Sequence, residues 1–142
     1  MPETLRTLGT IDRILFLRQV PIFNNLAPED LNQIAEIADE RAFTRGEFVF
    51  REGDVGDELF VIVEGATRVE RDARTLRTLH AGEQIGELAI LREQPRSASV
   101  VAESANVRAL VIRGDALKAI LRDRPEVAMG MLASLAQRLS TA

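Results

Sequence analysis

The chain has 142 residues, 46% of them hydrophobic and 28% charged, with a formal charge of -4 and no cysteine. That length supports one domain with its own core rather than two, and the missing cysteine excludes disulfides, thiolate metal sites and cysteine nucleophiles. The acidic balance argues against direct nucleic-acid binding, which needs a net basic face. His80 is the only histidine, so a histidine-rich metal centre or a serine–histidine relay has one member and no second. No apolar run reaches the length of a membrane span, and the N-terminus lacks the apolar core of a signal peptide. A cytoplasmic protein is expected.

Residues 1–41 carry helical spacing. Leu5, Leu8, Ile11 and Leu15 fall roughly on one face of a first helix, which Pro21 ends. A second helix starts at Pro28, whose fixed φ suits the first helical position. Glu29 and Asp30 then sit at the positive end of its dipole, and Leu31, Ile34, Ala35 and Ala38 form its buried stripe. Ala27 is a weak N-cap, having no side-chain acceptor.

Between residues 42 and 113 the periodicity shortens. Seven of the nine glycines lie from Gly46 to Gly114, punctuating short apolar or alternating runs. Residues 48–50, 59–63 and 107–112 are the clearest strands, and 66–71, 75–79 and 98–102 are weaker ones. Glu52 to Asp57 is a tight turn region rich in glycine and aspartate. Many short strands with such turns predict a mainly β domain with flanking helices, a double-sheet, jelly-roll-like β-roll.

Residues 114–142 return to helix. One runs from Gly114 or Asp115 to about Asp123, and Pro125 opens another. From Val127 to Gln137 there is no charge. A helix without a charged face needs cover from its own domain, a ligand or a second subunit; a homodimer through the terminal helices is one such arrangement.

The run from Ile85 to Val100 carries the chemistry. Gly86 lets backbone approach a ligand closely. A short helix from Glu87 to Leu91 presents unpaired N–H groups, those of Leu88 and Ala89 among them, to an anion. Glu87 repels phosphate but accepts from a sugar hydroxyl. Nine residues on, Arg96 supplies a planar fork for phosphate oxygens. Ser97 adds a hydroxyl, and Ala98 leaves room for a further backbone N–H. An anion site and a carboxylate in one pocket suit a cyclic phosphodiester fused to a ribose.

These residues, with Phe50-Arg51-Glu52-Gly53-Asp54, Glu64-Gly65 and Gly82-Glu83, resemble the cyclic-nucleotide-binding regulatory domain family over roughly residues 20–123. The resemblance implies a β-roll flanked by helices and a phosphate-binding cassette at 85–100. It implies that Glu87 meets the ribose 2′-hydroxyl and Arg96 the cyclic phosphate, while Gly86, Leu88, Ala89, Ser97 and Ala98 supply backbone or hydroxyl contacts. Ile85 stands where the family most often has phenylalanine. Ser97 replaces the threonine that accompanies guanine selectivity, which implies cyclic AMP before cyclic GMP. No aromatic follows Phe60, so the purine cover falls to Arg138 as a cation–π partner, to Leu135 and Leu139, or to another segment or subunit.

The expected role is a sensor, not an enzyme: no catalytic residue, no metal and no cofactor beyond the ligand. Ligand capture is expected to move the C-terminal helices and so signal to an effector domain or protein that the sequence does not name. With no helix-turn-helix expected after the roll, the chain is expected to be either a free-standing sensor or an excised regulatory part of a larger protein, the apolar first and last helices favouring the latter. The main alternative is an interaction or dimerisation module on the same fold that binds no nucleotide. A cupin-type metalloenzyme lacks the histidines it would need, and a phosphodiesterase using Glu87 as base lacks a second acid.

Overall fold

The computed structural model describes residues 9–140. Alternation in the apolar run Leu59-Phe60-Val61-Ile62 decides the architecture, because successive side chains of a strand point to opposite faces. Phe60 and Ile62 meet Val107, Ala109 and Val111 inside the roll. Leu59 and Val61 meet Leu110 and Ile112 on the other face, under a layer of helices. One sheet is therefore covered on both sides.

That sheet joins β1 (Asp39–Thr44), β8 (Asn106–Arg113), β3 (Glu58–Glu64) and β6 (Gln84–Ile85), in that order. The second sheet runs β2 (Phe48–Phe50), β7 (Ser99–Ala102), β4 (Thr67–Arg71) and β5 (Arg74–Leu79). All pairings are antiparallel. The strands expected from the sequence are present. The sequence reading omits β6, two residues long, and starts the β region at 42 where β1 begins at Asp39. The burial of β1 does not alternate, so its sequence carries no period-2 signal.

The helices are α1 (Thr10–Leu17), α2 (Pro28–Ile37), α3 (Glu87–Arg92), α4 (Gly114–Asp123) and α5 (Pro125–Ser140), with a 3-10 turn at Pro21–Phe23. α2 follows the expectation closely: Leu31, Ile34, Ala35 and Ala38 are all buried, and Ala27 makes no side-chain cap bond. Asp30 does more than meet the helix dipole. It is buried and accepts a 2.7 Å bond from Nε of Arg124, tying α2 to the junction of α4 and α5.

The first helix differs from its expected orientation. Ile11 is 73% and Leu15 45% exposed, while Leu17 is fully buried; Leu5 and Leu8 lie outside the described residues. α1 turns the face of Arg13 and Leu17 toward α2 because Arg13 bonds the carbonyls of Ala35 and Ala38 at the end of α2 and pairs with Glu40. Leu17, with Ile14 and Phe16 packed beside it, supplies the apolar side of this contact, and the arginine bonds fix its rotation. The helix also ends at Leu17, before Pro21, which instead opens the 3-10 turn.

α5 sits on that turn. Val127, Met131 and Ser134 are its buried residues. Gly130 permits the approach, since a Cβ there would lie 2.5 Å from Leu26 Cδ2. The Ser134 hydroxyl accepts from Nδ2 of Asn25 at 3.0 Å. The opposite face leaves Met129, Leu132 and Leu139 exposed.

One buried group works against stability. Thr67 is fully buried, opposite Leu79 and Ala102 in the two ladders, and its hydroxyl has no partner among the described residues. Thr67→Val keeps the branched shape and removes that unmet group. It is expected to stabilise the domain by about 1 kcal/mol, read as a rise of roughly 3–5 °C in the thermal melting midpoint.

Candidate functional site

The stretch between β6 and β7 runs along one wall of a pocket of about 420 Å³. Gly86, Glu87, Arg96, Ser97 and Ala98 all line it, so the two ends of the sequence motif face a single cavity. Leu88 and Ala89 lie in α3, directly after Glu87. Arg138 is in the last turn of α5, and it is not among the residues lining the pocket.

Arg96 is the centre of the site. Only 6% of the residue is exposed, an unusual position for a permanent cation. Its guanidinium carbon lies 4.1 Å from the ring centroid of Phe50 and 5.9 Å from that of Phe60, within cation–π range. Nη2 donates to the carbonyl of Glu58 at 2.9 Å. Nε and Nη1 are buried and have no partner among the described residues. Burial pushes the guanidinium below its ordinary proton affinity, and the carboxylates of Glu58, Asp57 and Asp54 act in the opposite direction. It stays charged at neutral pH. A buried cation with two unmet donor nitrogens, beside a cavity, is built to receive an anion.

The backbone around Arg96 is pinned to the turn that precedes β3. Arg96 N–H donates to the Asp54 carbonyl at 2.9 Å, and Gly53 N–H donates to the Arg96 carbonyl at 2.8 Å. That turn is itself closed by the Asp54 carboxylate, which accepts from Arg51 N–H. The Ser99 hydroxyl accepts from Glu52 N–H. This gives the Phe50-to-Asp54 motif its structural meaning. Gly86 is required by both space and backbone. Its φ is +100°, and a Cβ there would lie 2.7 Å from the Glu58 carbonyl oxygen and 2.8 Å from Arg96 Nη1.

Phe50, the first residue of the motif that runs to Asp54, also lines the pocket. The rest of the far wall comes from residues the sequence reading did not single out: Arg71, Leu76 and Arg77, all on the hairpin of β4 and β5. The hairpin turns at Asp72 and Ala73, both at positive φ, and its register sets Arg77 opposite the inward-facing Val69. Strand alternation alone would have directed attention to Arg77, but which hairpin faces the cassette follows only from the pairing of β4 with β7. Among the described residues, no group of three or more histidine, cysteine or acidic side chains is arranged to hold a metal.

A β-roll with a helical layer and an arginine-centred anion pocket defines a ligand-binding module. Residues 40–124 match the family described as Cyclic nucleotide-binding domain, and the chain belongs to that family. It is 34% identical over 119 residues to cGMP-dependent protein kinase, isozyme 1, of Drosophila melanogaster, covering 79% of this chain and 16% of the kinase. It is 36% identical over 127 residues to the cyclic AMP receptor protein of Thermus thermophilus, covering 86% of this chain and 58% of that protein. The chain thus spans only part of these curated relatives. Among solved structures, the N-terminal domain of a transcriptional regulator from Streptomyces coelicolor superposes with a TM-score of 0.79 at 34% identity, covering 89% of this chain and 91% of that one.

Gly86→Ala is expected to disturb the site directly, by forcing a side chain against the Glu58 carbonyl in a left-handed conformation. The expected loss is about 2–3 kcal/mol of stability, measured by denaturant unfolding, together with a shift of the Arg96 side-chain resonances.

Proposed function

We propose that this domain binds a cyclic nucleotide monophosphate, cyclic AMP in first place, and acts as a regulatory sensor. The observation that carries the reading is Arg96, buried with Nε and Nη1 unmet beside a pocket that Glu87 also lines. The cyclic phosphate takes the two unmet nitrogens in charge-assisted bonds. Glu87 accepts from the ribose 2′-hydroxyl, and Ser97 adds its hydroxyl. A ligand with one anionic ring phosphate and an adjacent hydroxyl satisfies both groups at once.

A second reading, cyclic GMP, is favoured by Arg77 at the pocket wall. A guanidinium offers paired donors to the O6 and N7 acceptors of guanine, whereas adenine presents a donor at the equivalent edge. The names of the relatives divide in the same way between cGMP and cyclic AMP.

The relay to the helices starts at Arg96. Its Nη2 holds the Glu58 carbonyl, and the neighbouring Asp57 carbonyl accepts from the N–H of Gly114, the first residue of α4, at 2.6 Å. Ile90 of α3 packs close to the same glycine. Phosphate bonded at Nε and Nη1 draws the whole guanidinium plane toward the ligand and so shifts its Nη2 bond to Glu58, which alters the support of α4 and, through the Asp30–Arg124 tie, of α5. Binding shifts function because the two arrangements hold Arg96 differently.

A second copy of the chain is our reading for the exposed side of α5. Met129, Leu132, Ala136 and Leu139 are exposed at the 3-4-3 spacing of a coiled-coil seam. The output domain or partner of the sensor is not named by any of these features.

Isothermal titration with cyclic AMP, cyclic GMP and 5′-AMP tests the binding reading. Tight binding of a cyclic nucleotide over 5′-AMP is expected, and the ratio of the two cyclic ligands decides between the base readings. No heat with any of them would leave the interaction-module alternative. Arg96→Ala should weaken binding by about 2–5 kcal/mol, roughly 30-fold to several thousand-fold; retained micromolar affinity would sink the phosphate assignment. Leu132→Glu should lower the sedimentation mass of a wild-type dimer to that of the monomer, without altering nucleotide affinity.

A further inference from the structure

The corner at Arg96 and Ser97 is held from two directions. On one side stand the reciprocal backbone bonds to Gly53 and Asp54. On the other, Nε of Arg71 donates to the Ser97 carbonyl at 2.9 Å, reaching from the last residue of β4. Pro95, just before the corner, contributes no N–H of its own. Arg71 also lines the ligand pocket. The bond to Ser97 uses Nε, and the two Nη nitrogens of an arginine carry the other four N–H donors.

The geometry points to Arg71 as a positioning residue of the pocket: it fixes the Ser97 carbonyl, and so the direction from which Arg96 and the Ser97 hydroxyl meet an anionic ligand. Its ligand-binding consequence rests on the cyclic-nucleotide reading above; the positioning itself does not. Arginine is needed because the two tasks fall on different nitrogens of one rigid plane. A lysine has a single nitrogen, which either holds the carbonyl or faces the ligand. Arg71 adds to the cations Arg96 and Arg77 at the wall of a pocket whose lining includes one acid, Glu87, and so steers an anionic ligand inward in a salt-dependent manner. The two contributions separate kinetically. Steering acts on association, and a held corner acts on dissociation.

The test uses the wild-type domain, Arg71→Ala and Arg71→Lys. Stopped-flow binding of cyclic AMP and cyclic GMP labelled at purine C8 is measured over a range of salt. Arg71→Ala is expected to lose about tenfold in affinity, chiefly through faster dissociation, with a weaker salt dependence of association. Arg71→Lys should keep the association rate and its salt dependence but dissociate nearly as fast as the alanine variant. Amide exchange in the unliganded domain gives a second readout. The Gly53 and Arg96 amides should exchange faster in both variants, with the melting midpoint unchanged. Full affinity in Arg71→Lys, or wild-type dissociation and exchange in Arg71→Ala, would overturn the proposal. Should the wild type bind neither nucleotide, the sensor reading fails while exchange still judges the positioning. Should Arg71→Ala not fold, the lysine variant decides alone.

Discussion

The antiparallel pair of β3 and β8, covered on both faces, is the constraint on which the rest of the molecule depends. Phe60, Ile62, Val107, Ala109 and Val111 supply the interior of the roll, and Leu59, Val61, Leu110 and Ile112 supply the bed for the helices. The same strands therefore belong to two cores, and a displacement of β3 is felt in both. The start of β3 is where these cores meet the ligand pocket. Glu58 gives its carbonyl to Arg96, and Asp57 gives its carbonyl to the first N–H of α4. Two adjacent peptide units thus connect the buried arginine of the pocket to the helical layer.

Arg96 is a charge kept at the pocket with few partners. Burying a cation is expensive unless it is paired and hydrogen-bonded. Here one nitrogen is satisfied by a neutral carbonyl, the ring faces of Phe50 and Phe60 lie within reach, and three carboxylates favour the charged form without a direct ion pair. The result is a guanidinium held in place yet short of partners. A carboxylate bonded directly to it would have closed the site. The turn from Arg51 to Asp54, the glycine at 86 and the carbonyl of Glu58 hold the arginine, with Nε and Nη1 buried and without a partner among the described residues.

The local features follow from the order of residues alone. Six of the eight strands, the α2 stripe, and the segment that brings Glu87 and Arg96 to one pocket were legible because each rests on short-range chemistry. Strand alternation, proline at a helix start and glycine where no side chain fits operate over a few residues. The uncharged run of α5 from Val127 to Gln137 also called for cover, and its two faces differ: the 3-10 turn lies against one, while Met129, Leu132 and Leu139 are exposed on the other.

Only the tertiary structure decided which surfaces meet. α1 exposes Ile11 and Leu15 and packs Leu17, Ile14 and Phe16 inward instead, with Arg13 bonded to carbonyls at the end of α2 more than twenty positions away. Arg71, Leu76 and Arg77 became pocket residues because β4 pairs with β7, which carries the cassette's end. Arg138 was set at the far end of α5, off the pocket wall. Such contacts depend on where whole elements dock. Docking is settled by the summed burial of both cores and by long-range hydrogen bonds, and neither leaves a periodic trace in the chain.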